Sequence, residues 1–204
     1  MSPDFVHQYV PGSSGTTLLL LHGTGGNERS LLGLGAQLAA GANLLSPRGQ
    51  VLEGAMPRFF RRMAEGVFDP EDLKARTAEL GEFLGGAAGR YGFDAKRVVA
   101  VGFSNGANIA ASLLLRSPGI LAGAVLFRAM VPFEPESPNG LAGTRVRLGA
   151  GRLDAIVPAA NTERLAHLLR QAGAEVTLDW WNGGHSLEPE EISQARRWLA
   201  QTGL

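Results

Sequence analysis

The chain contains no cysteine, which excludes disulfides, thiolate metal sites and a thiol nucleophile. It has no excess charge of either sign: 19 lysines and arginines stand against 19 aspartates and glutamates. That balance removes the electrostatic basis for binding nucleic acid or an anionic membrane surface. Histidine is scarce, at four residues. His7, His22, His167 and His185 show neither H-E-x-x-H nor any paired-ligand spacing, so neither a metal nor a cofactor is expected. No run approaches the roughly 18 continuous apolar residues that a membrane span needs. The start, Met1-Ser2-Pro3-Asp4, lacks a basic segment followed by an apolar one, so no secretory signal is visible and a cytoplasmic location is expected. The 204 residues fit a single domain, residues 1–204, with a sizeable core.

Glycine is abundant, at 28 residues, and one group of glycines carries chemical information. In Val98-Val99-Ala100-Val101-Gly102-Phe103-Ser104-Asn105-Gly106-Ala107-Asn108-Ile109-Ala110, a β-branched apolar run enters G-x-S-x-G and a helix-forming run leaves it. This is the sequence form of a nucleophile elbow, a sharp strand-to-helix turn that raises one serine hydroxyl above a sheet. The glycines are required because the turn leaves no room for a Cβ on either side of the serine. The helix that follows directs its first amides to the place where an oxyanion forms. In a chain so rich in glycine the five-residue pattern has little weight alone. A small residue in a tight turn accounts for it equally well, so the surrounding pattern must decide.

Alternating strands and helices are legible along the chain. Residues 5–10 read as an edge strand, 16–21 as a buried strand, and 43–45 as a short strand running into Ser46-Pro47. Asn27 is placed as the cap of a helix carrying Leu31, Leu34 and Leu38, closed by Gly41. Asp69-Pro70-Glu71-Asp72 starts a helix with a cap, a proline in the first turn and acids at the positive dipole end. It runs to about Arg90. Strands at 97–101, 122–127, 146–150 and 176–180 alternate with helices at 105–116, 159–172 and 188–201. Helical connections of this length need crossovers, so the expected fold is α/β: a mostly parallel sheet with helices on both faces and no large cap domain. Ligands in such folds sit at the carboxyl ends of the strands.

Three strand ends carry reactive side chains. Ser104 follows the strand at 98–101, Asp154 the strand at 146–150, and His185 the strand at 176–180. The order Ser, Asp, His is that of the α/β-hydrolase triad, not of the chymotrypsin or subtilisin arrangements. A serine hydroxyl needs a base to take its proton, imidazole is suited to that near neutrality, and a carboxylate holds the imidazole in the useful tautomer. Taken singly, Asp154 reads equally well as a turn cap and His185 as a loop residue beside Trp180 and Trp181. Their coincidence at three strand ends favours the triad. A fourth strand end, Leu18-Leu19-Leu20-Leu21-His22-Gly23-Thr24-Gly25-Gly26-Asn27, has the HG-x-GG form of an oxyanion-hole loop. The amides of Thr24 and Asn105 are its expected donors. No Lys-Ser/Thr follows these glycines, which counts against a phosphate-binding loop. His22 reads as a structural hydrogen-bonder in this loop.

The motifs HGTGGN, GFSNGA, GRLDAIVP and GGHSL, in this order from about residue 16 to residue 199, resemble the phospholipase/carboxylesterase family of α/β-hydrolases. That family includes acyl-protein thioesterases and small bacterial carboxylesterases. The resemblance implies Ser104, Asp154 and His185 as triad, with Thr24 and Asn105 as oxyanion donors. Acyl-protein thioesterases typically have an acidic GD in the first loop and glutamine after the serine. Gly25-Gly26 and Asn105 stand here instead, which places the chain nearer the bacterial carboxylesterases.

Segment 46–68 leaves a strand at its carboxyl end and should border the site. It holds Arg48, Arg58, Arg61 and Arg62 with Met56, Phe59, Phe60 and Phe68. It reads either as an apolar acyl or aryl pocket with an arginine for an acidic group, or as a surface loop with buried anchors and solvated arginines. Met56, Phe59 and Phe60, with Phe133 from a second rim at 129–142, are the expected substrate contacts. Trp180 and Trp181 alternate across the last strand, one toward the core and one toward the His185 loop. The expected function is a serine carboxylesterase acting on short acyl or small aryl esters. Lysophospholipase, acyl-thioesterase or lactone hydrolase activity, or ligand binding without catalysis, are the alternatives. The expected partner is a small-molecule ester, and a homodimer is left open.

Overall fold

The computed structural model describes residues 4–203, so of the amino-terminal tetrapeptide read for a signal only Asp4 lies within it. Eleven strands and five α-helices are found among these residues. Seven strands form one sheet in the order β1-β3-β2-β8-β9-β10-β11. These are β1 (His7–Val10), β2 (Thr17–Leu21), β3 (Asn43–Pro47), β8 (Val98–Phe103), β9 (Gly123–Phe127), β10 (Arg145–Gly151) and β11 (Glu175–Trp181). β1 pairs antiparallel with β3, and every other pairing in the sheet is parallel.

Parallel strands are covered on both faces and therefore read as unbroken apolar runs. In β2 every residue is buried, and successive leucines serve opposite layers. Leu19 and Leu21 pack with α2 (Pro70–Tyr91), α3 (Asn105–Arg116) and α4 (Ala159–Gln171). Leu18 and Leu20 pack with α1 (Leu32–Leu38) and α5 (Pro189–Thr202). The result is a three-layer α/β fold with no large cap. No helix among the described residues is long and apolar enough to cross a membrane.

Helix α2 begins as its sequence indicates. Asp69 accepts from the amides of Glu71 and Asp72, Pro70 is the first helical residue, and Gly92 ends the helix in the left-handed conformation. Helix α1 differs. It starts at Leu32 with no side-chain cap, while Asn27 closes a tight turn by accepting from the Arg29 amide at 2.9 Å. An Asx turn satisfies the same oxygen locally, and Asn27 lies four positions before the N-cap, Leu31. Trp180 and Trp181 are both only partly buried. β11 is the edge strand, so neither of its faces is covered as completely as those of the central strands.

Segment 46–68 folds into two short hairpins. β4 (Val51–Glu53) pairs with β5 (Met56–Arg58), and β6 (Arg62–Ala64) with β7 (Val67–Phe68). Its arginines are each paired with a carboxylate: Arg48 with Glu28, Arg58 and Arg62 with Glu53, and Arg61 with Asp69. The Arg48 pair joins the loop after β2 to the end of β3 through two hydrogen bonds of 2.6 and 2.9 Å. Arg48 holds the Glu28 carboxyl down to about 2 against the burial that opposes its ionisation. A carboxyl depressed in the folded chain stabilises it above the unfolded value and loses that contribution as pH falls toward the folded one. Wild-type Tm is therefore expected to fall between about pH 5 and pH 2. Arg48→Met should lower Tm at neutral pH and make that acid slope shallower, as thermal melts across the range will show.

Candidate active site

The sheet order reverses at β2, which has β3 on one side and β8 on the other. Chains diverge there, and the crevice beyond the carboxyl ends of the two strands is the natural ligand position. The loop after β2 supplies Thr24 and the turn after β8 supplies Ser104. The two sequence motifs are thus neighbours because β2 and β8 are paired along their length, from Thr17 opposite Val98 to Leu21 opposite Gly102.

Ser104 has φ 52° and ψ −116°, a left-handed conformation that is strained for any residue with a Cβ. Its amide is held by the carbonyl of Phe127 at 2.9 Å. The flanking glycines are demanded by close backbone approach. A Cβ on Gly102 would lie 2.6 Å from the Cα of Ala107, and one on Gly106 would lie 2.0 Å from the carbonyl oxygen of Leu21.

The hydroxyl of Ser104 is 2.9 Å from His185 Nε2, and His185 Nδ1 is 2.8 Å from Asp154 Oδ2. The other oxygen of Asp154 accepts from the amides of Ile156 and Val157 at 2.8 and 3.0 Å. The turn-cap and the imidazole-partner readings of Asp154 therefore both hold, one for each oxygen. Burial opposes ionisation of this carboxyl, but the Val157 and Ile156 amides and His185 outweigh it and hold the group below its ordinary value. The Asp154 side chain is 1% exposed and that of His185 23%, so the imidazole opens toward the cleft while the carboxylate is sealed behind it.

Thr24 and Asn105 line the same cleft as Ser104. Their amides donate to no acceptor among the described residues. The Asn105 amide is a free donor because it opens α3, where no preceding turn supplies a carbonyl. His22 takes a structural position. It accepts from the Gly49 amide through Nε2 at 3.0 Å, which leaves Nδ1 to carry the proton toward the Gly23 carbonyl at 2.7 Å. Burial lowers the pKa of His22 and favours this neutral form.

The expected aromatic substrate contacts are elsewhere. Phe59 and Phe60 are 2% and 0% exposed and serve as the buried anchors of the hairpin segment. The Phe59 ring packs on His22 and the Phe60 ring edge-on to Phe68. Phe133 lies under the guanidinium of Arg116 at 3.9 Å. Met56 is 45% exposed and sits outside the Thr24 loop, against Gly25. The cleft is lined instead by Arg58, Arg62, Asn108, Phe68, Met130 and Val157, with others, around a volume of about 40 Å³. A larger hollow of about 400 Å³ lies near Thr16, Ala42 and Arg97, at the opposite ends of the strands, and contains no nucleophile–base pair.

Three asparagines hold the rims in place. Asn105 Oδ1 accepts from the Phe59 amide at 2.8 Å, Asn108 Oδ1 from Met130 at 2.7 Å, and Asn161 Oδ1 from Val131 at 2.7 Å. Asn105 and Asn108 are one helical turn apart, so α3 tethers both rims to the serine. Asn108 was passed over in the sequence, although a polar residue in an otherwise buried helix is a signal that a partner exists.

An α/β sheet with a serine on a strained turn after a central strand defines an α/β-hydrolase. The phospholipase/carboxylesterase family profile matches residues 12–202, and the chain belongs to that family. It is 49% identical over 195 residues, 96% of this chain and 98% of the relative, to MhqD of Bacillus subtilis (strain 168). The crystal structure of a Bacillus cereus carboxylesterase superposes with a TM-score of 0.95 at 49% identity, covering 97% of this chain and 94% of that one. YahD, solved with malic acid, superposes with a TM-score of 0.92 at 31% identity over 98% of each chain. The chain is a carboxylic ester hydrolase.

Asn108→Ala leaves the buried Met130 amide without an acceptor, at a cost of about 1–3 kcal/mol. Urea denaturation should show a loss of stability in that range with an unchanged m-value.

Proposed function

We propose that the chain is a serine carboxylesterase that cleaves short-chain acyl or small aryl esters through an acyl-enzyme. The supporting observation is the unbroken hydrogen-bond line from Ser104 Oγ through His185 to Asp154. In this reading His185 Nε2 takes the serine proton as Oγ attacks the ester carbonyl, and returns it to the departing alkoxide. Water then attacks the acyl-enzyme with the same imidazole as base. Asp154 keeps Nδ1 protonated and stabilises the transient imidazolium. The free amides of Thr24 and Asn105 receive the oxyanion, where developing charge is worth most in a partly dry cleft. A small ester met in the cytoplasm is the proposed partner, with no part for nucleic acid or membrane.

Replacing Ser104 by alanine should lower kcat by about 10⁴–10⁶, since the nucleophile and base act as a unit. Tm should change little, and a fluorophosphonate probe should label the wild type alone. Substantial ester hydrolysis in the alanine variant would overturn the assignment, and a wild type that binds esters without turnover would favour a ligand-binding protein.

Substrate size follows from the cleft. Its 40 Å³ admits only a small group, of the order of three water molecules. Each methylene contributes about 0.8 kcal/mol only when apolar wall covers it. Beyond Phe68, Met130, Ile156 and Val157 the lining is largely polar. Hydrolysis of p-nitrophenyl acetate or butyrate should therefore show a higher kcat/KM than the palmitate ester, compared in mixed detergent that keeps the long ester accessible. Preference for palmitate would move the lysophospholipase or acyl-thioesterase reading to first place.

A further inference from the structure

Arg128 follows β9 directly and is 1% exposed, yet it carries a full guanidinium into the core. Its backbone is left-handed, at φ 56°, a conformation that costs a non-glycine residue roughly 1–3 kcal/mol. All its N–H groups are engaged. Nε donates to the Gly184 carbonyl at 2.9 Å and Nη2 to the Ser186 carbonyl at 2.5 Å. Nη1 donates to the Gly149 carbonyl at 3.1 Å, and the fork closes on Glu191 of α5 at 2.7 and 2.9 Å. Gly184 and Ser186 flank His185. The same Nε lies 3.9 Å from Asp154 Oδ2, the oxygen that faces the imidazole.

A buried ion pair is a poor device for stability, because desolvation of both charges offsets most of their attraction. Its presence here coincides with geometry that pure stability does not require. Gly149 has to be a glycine for the pair to form, since a Cβ there would lie 2.2 Å from Glu191 Oε1.

We propose that Arg128 and Glu191 are positioning residues for His185: the guanidinium clamps the carbonyls on either side of the base, and Glu191 neutralises it. This rests on the reading of Ser104, His185 and Asp154 as the triad. Uncompensated, the cation beside Asp154 disfavours the positive charge that the imidazole acquires at the transition state. The charged groups packed around the pair are Asp154 from the loop after β10 and Arg147 of β10 with its partner Asp179 of β11 at 2.8 Å, and Arg197 of α5 acts on Arg147. Among the described residues Asp154 is the carboxylate in ion-pair contact with His185.

The test compares full-length wild type, E191Q, the apolar double variant R128M/E191M and S104A. It reads Tm, active sites titrated by fluorophosphonate, and kcat and KM for p-nitrophenyl acetate between pH 5 and 9. E191Q keeps the shape and leaves the cation unbalanced. Its kcat should fall about tenfold or more, with KM within about twofold, and the acid limb of kcat/KM should move to lower pH by about half a unit. R128M/E191M removes the buried charges, which commonly preserves or raises stability. It should remain folded and lose kcat about tenfold because the His185 loop has lost its clamp. Wild-type kcat per titrated site and an unmoved acid limb in either folded variant would overturn the proposal, whatever the change in Tm. Hydrolysis surviving in S104A would instead overturn the triad on which it rests.

Discussion

The approach of Gly106 to the carbonyl of Leu21, with a hypothetical Cβ only 2.0 Å from that oxygen, is the constraint on which the site depends. It packs the first turn of α3 directly against the end of β2, with no side chain between them. Ser104 must then turn through a left-handed conformation to pass from strand to helix, and the Phe127 carbonyl from β9 holds its amide there. The strain is local, while the restraints come from the two strands on either side of β8. A change in the pairing of β2, β8 and β9 would move the serine, the Thr24 loop and the free amide of Asn105 together.

A second level of organisation uses polar side chains where apolar ones are the rule. The hairpins at 51–68 and the rim that starts at Ala129 have little regular structure to fix them. Single asparagine oxygens on α3 and α4 accept their backbone amides. A buried amide left unpaired is costly, so each such bond holds its loop more firmly than its modest net energy implies. The rims of the cleft thereby inherit the rigidity of the helices. The same economy places Glu53 between Arg58 and Arg62, and joins Arg58 to the Thr24 hydroxyl at 2.7 Å, so the cleft wall and the Thr24 loop are braced as one piece.

Much of this was readable from the residues in order. The strands β2, β8 and β9 are continuous apolar runs, as strands buried on both faces must be. α2 announces itself through Asp69 and Pro70. Ser104, Asp154 and His185 each follow a strand of the sheet, and their order along the chain was enough to suggest that they meet. The edges of the sheet were harder. Trp180 and Trp181 have the composition of a core strand, and only the position of β11 at the edge leaves both partly exposed. Asn27 looked like a helix cap because an Asx turn and a cap use the same side-chain oxygen in the same way.

The sequence by itself determined the α/β class with helices on both faces, the elbow, and the order in which Ser104, Asp154 and His185 follow their strands, because periodicity and short motifs encode local geometry. The tertiary structure alone decided what surrounds them. Whether Phe59, Phe60 and Phe133 line a pocket or sit elsewhere depends on contacts across the fold: Phe59 and Phe60 are buried anchors, and Phe133 stacks under Arg116. Nothing in the order of residues signals that Arg128 is buried against Glu191, 63 positions away. A charged residue in a linear chain looks solvated, and only packing reveals which one has been taken out of water and for which partners.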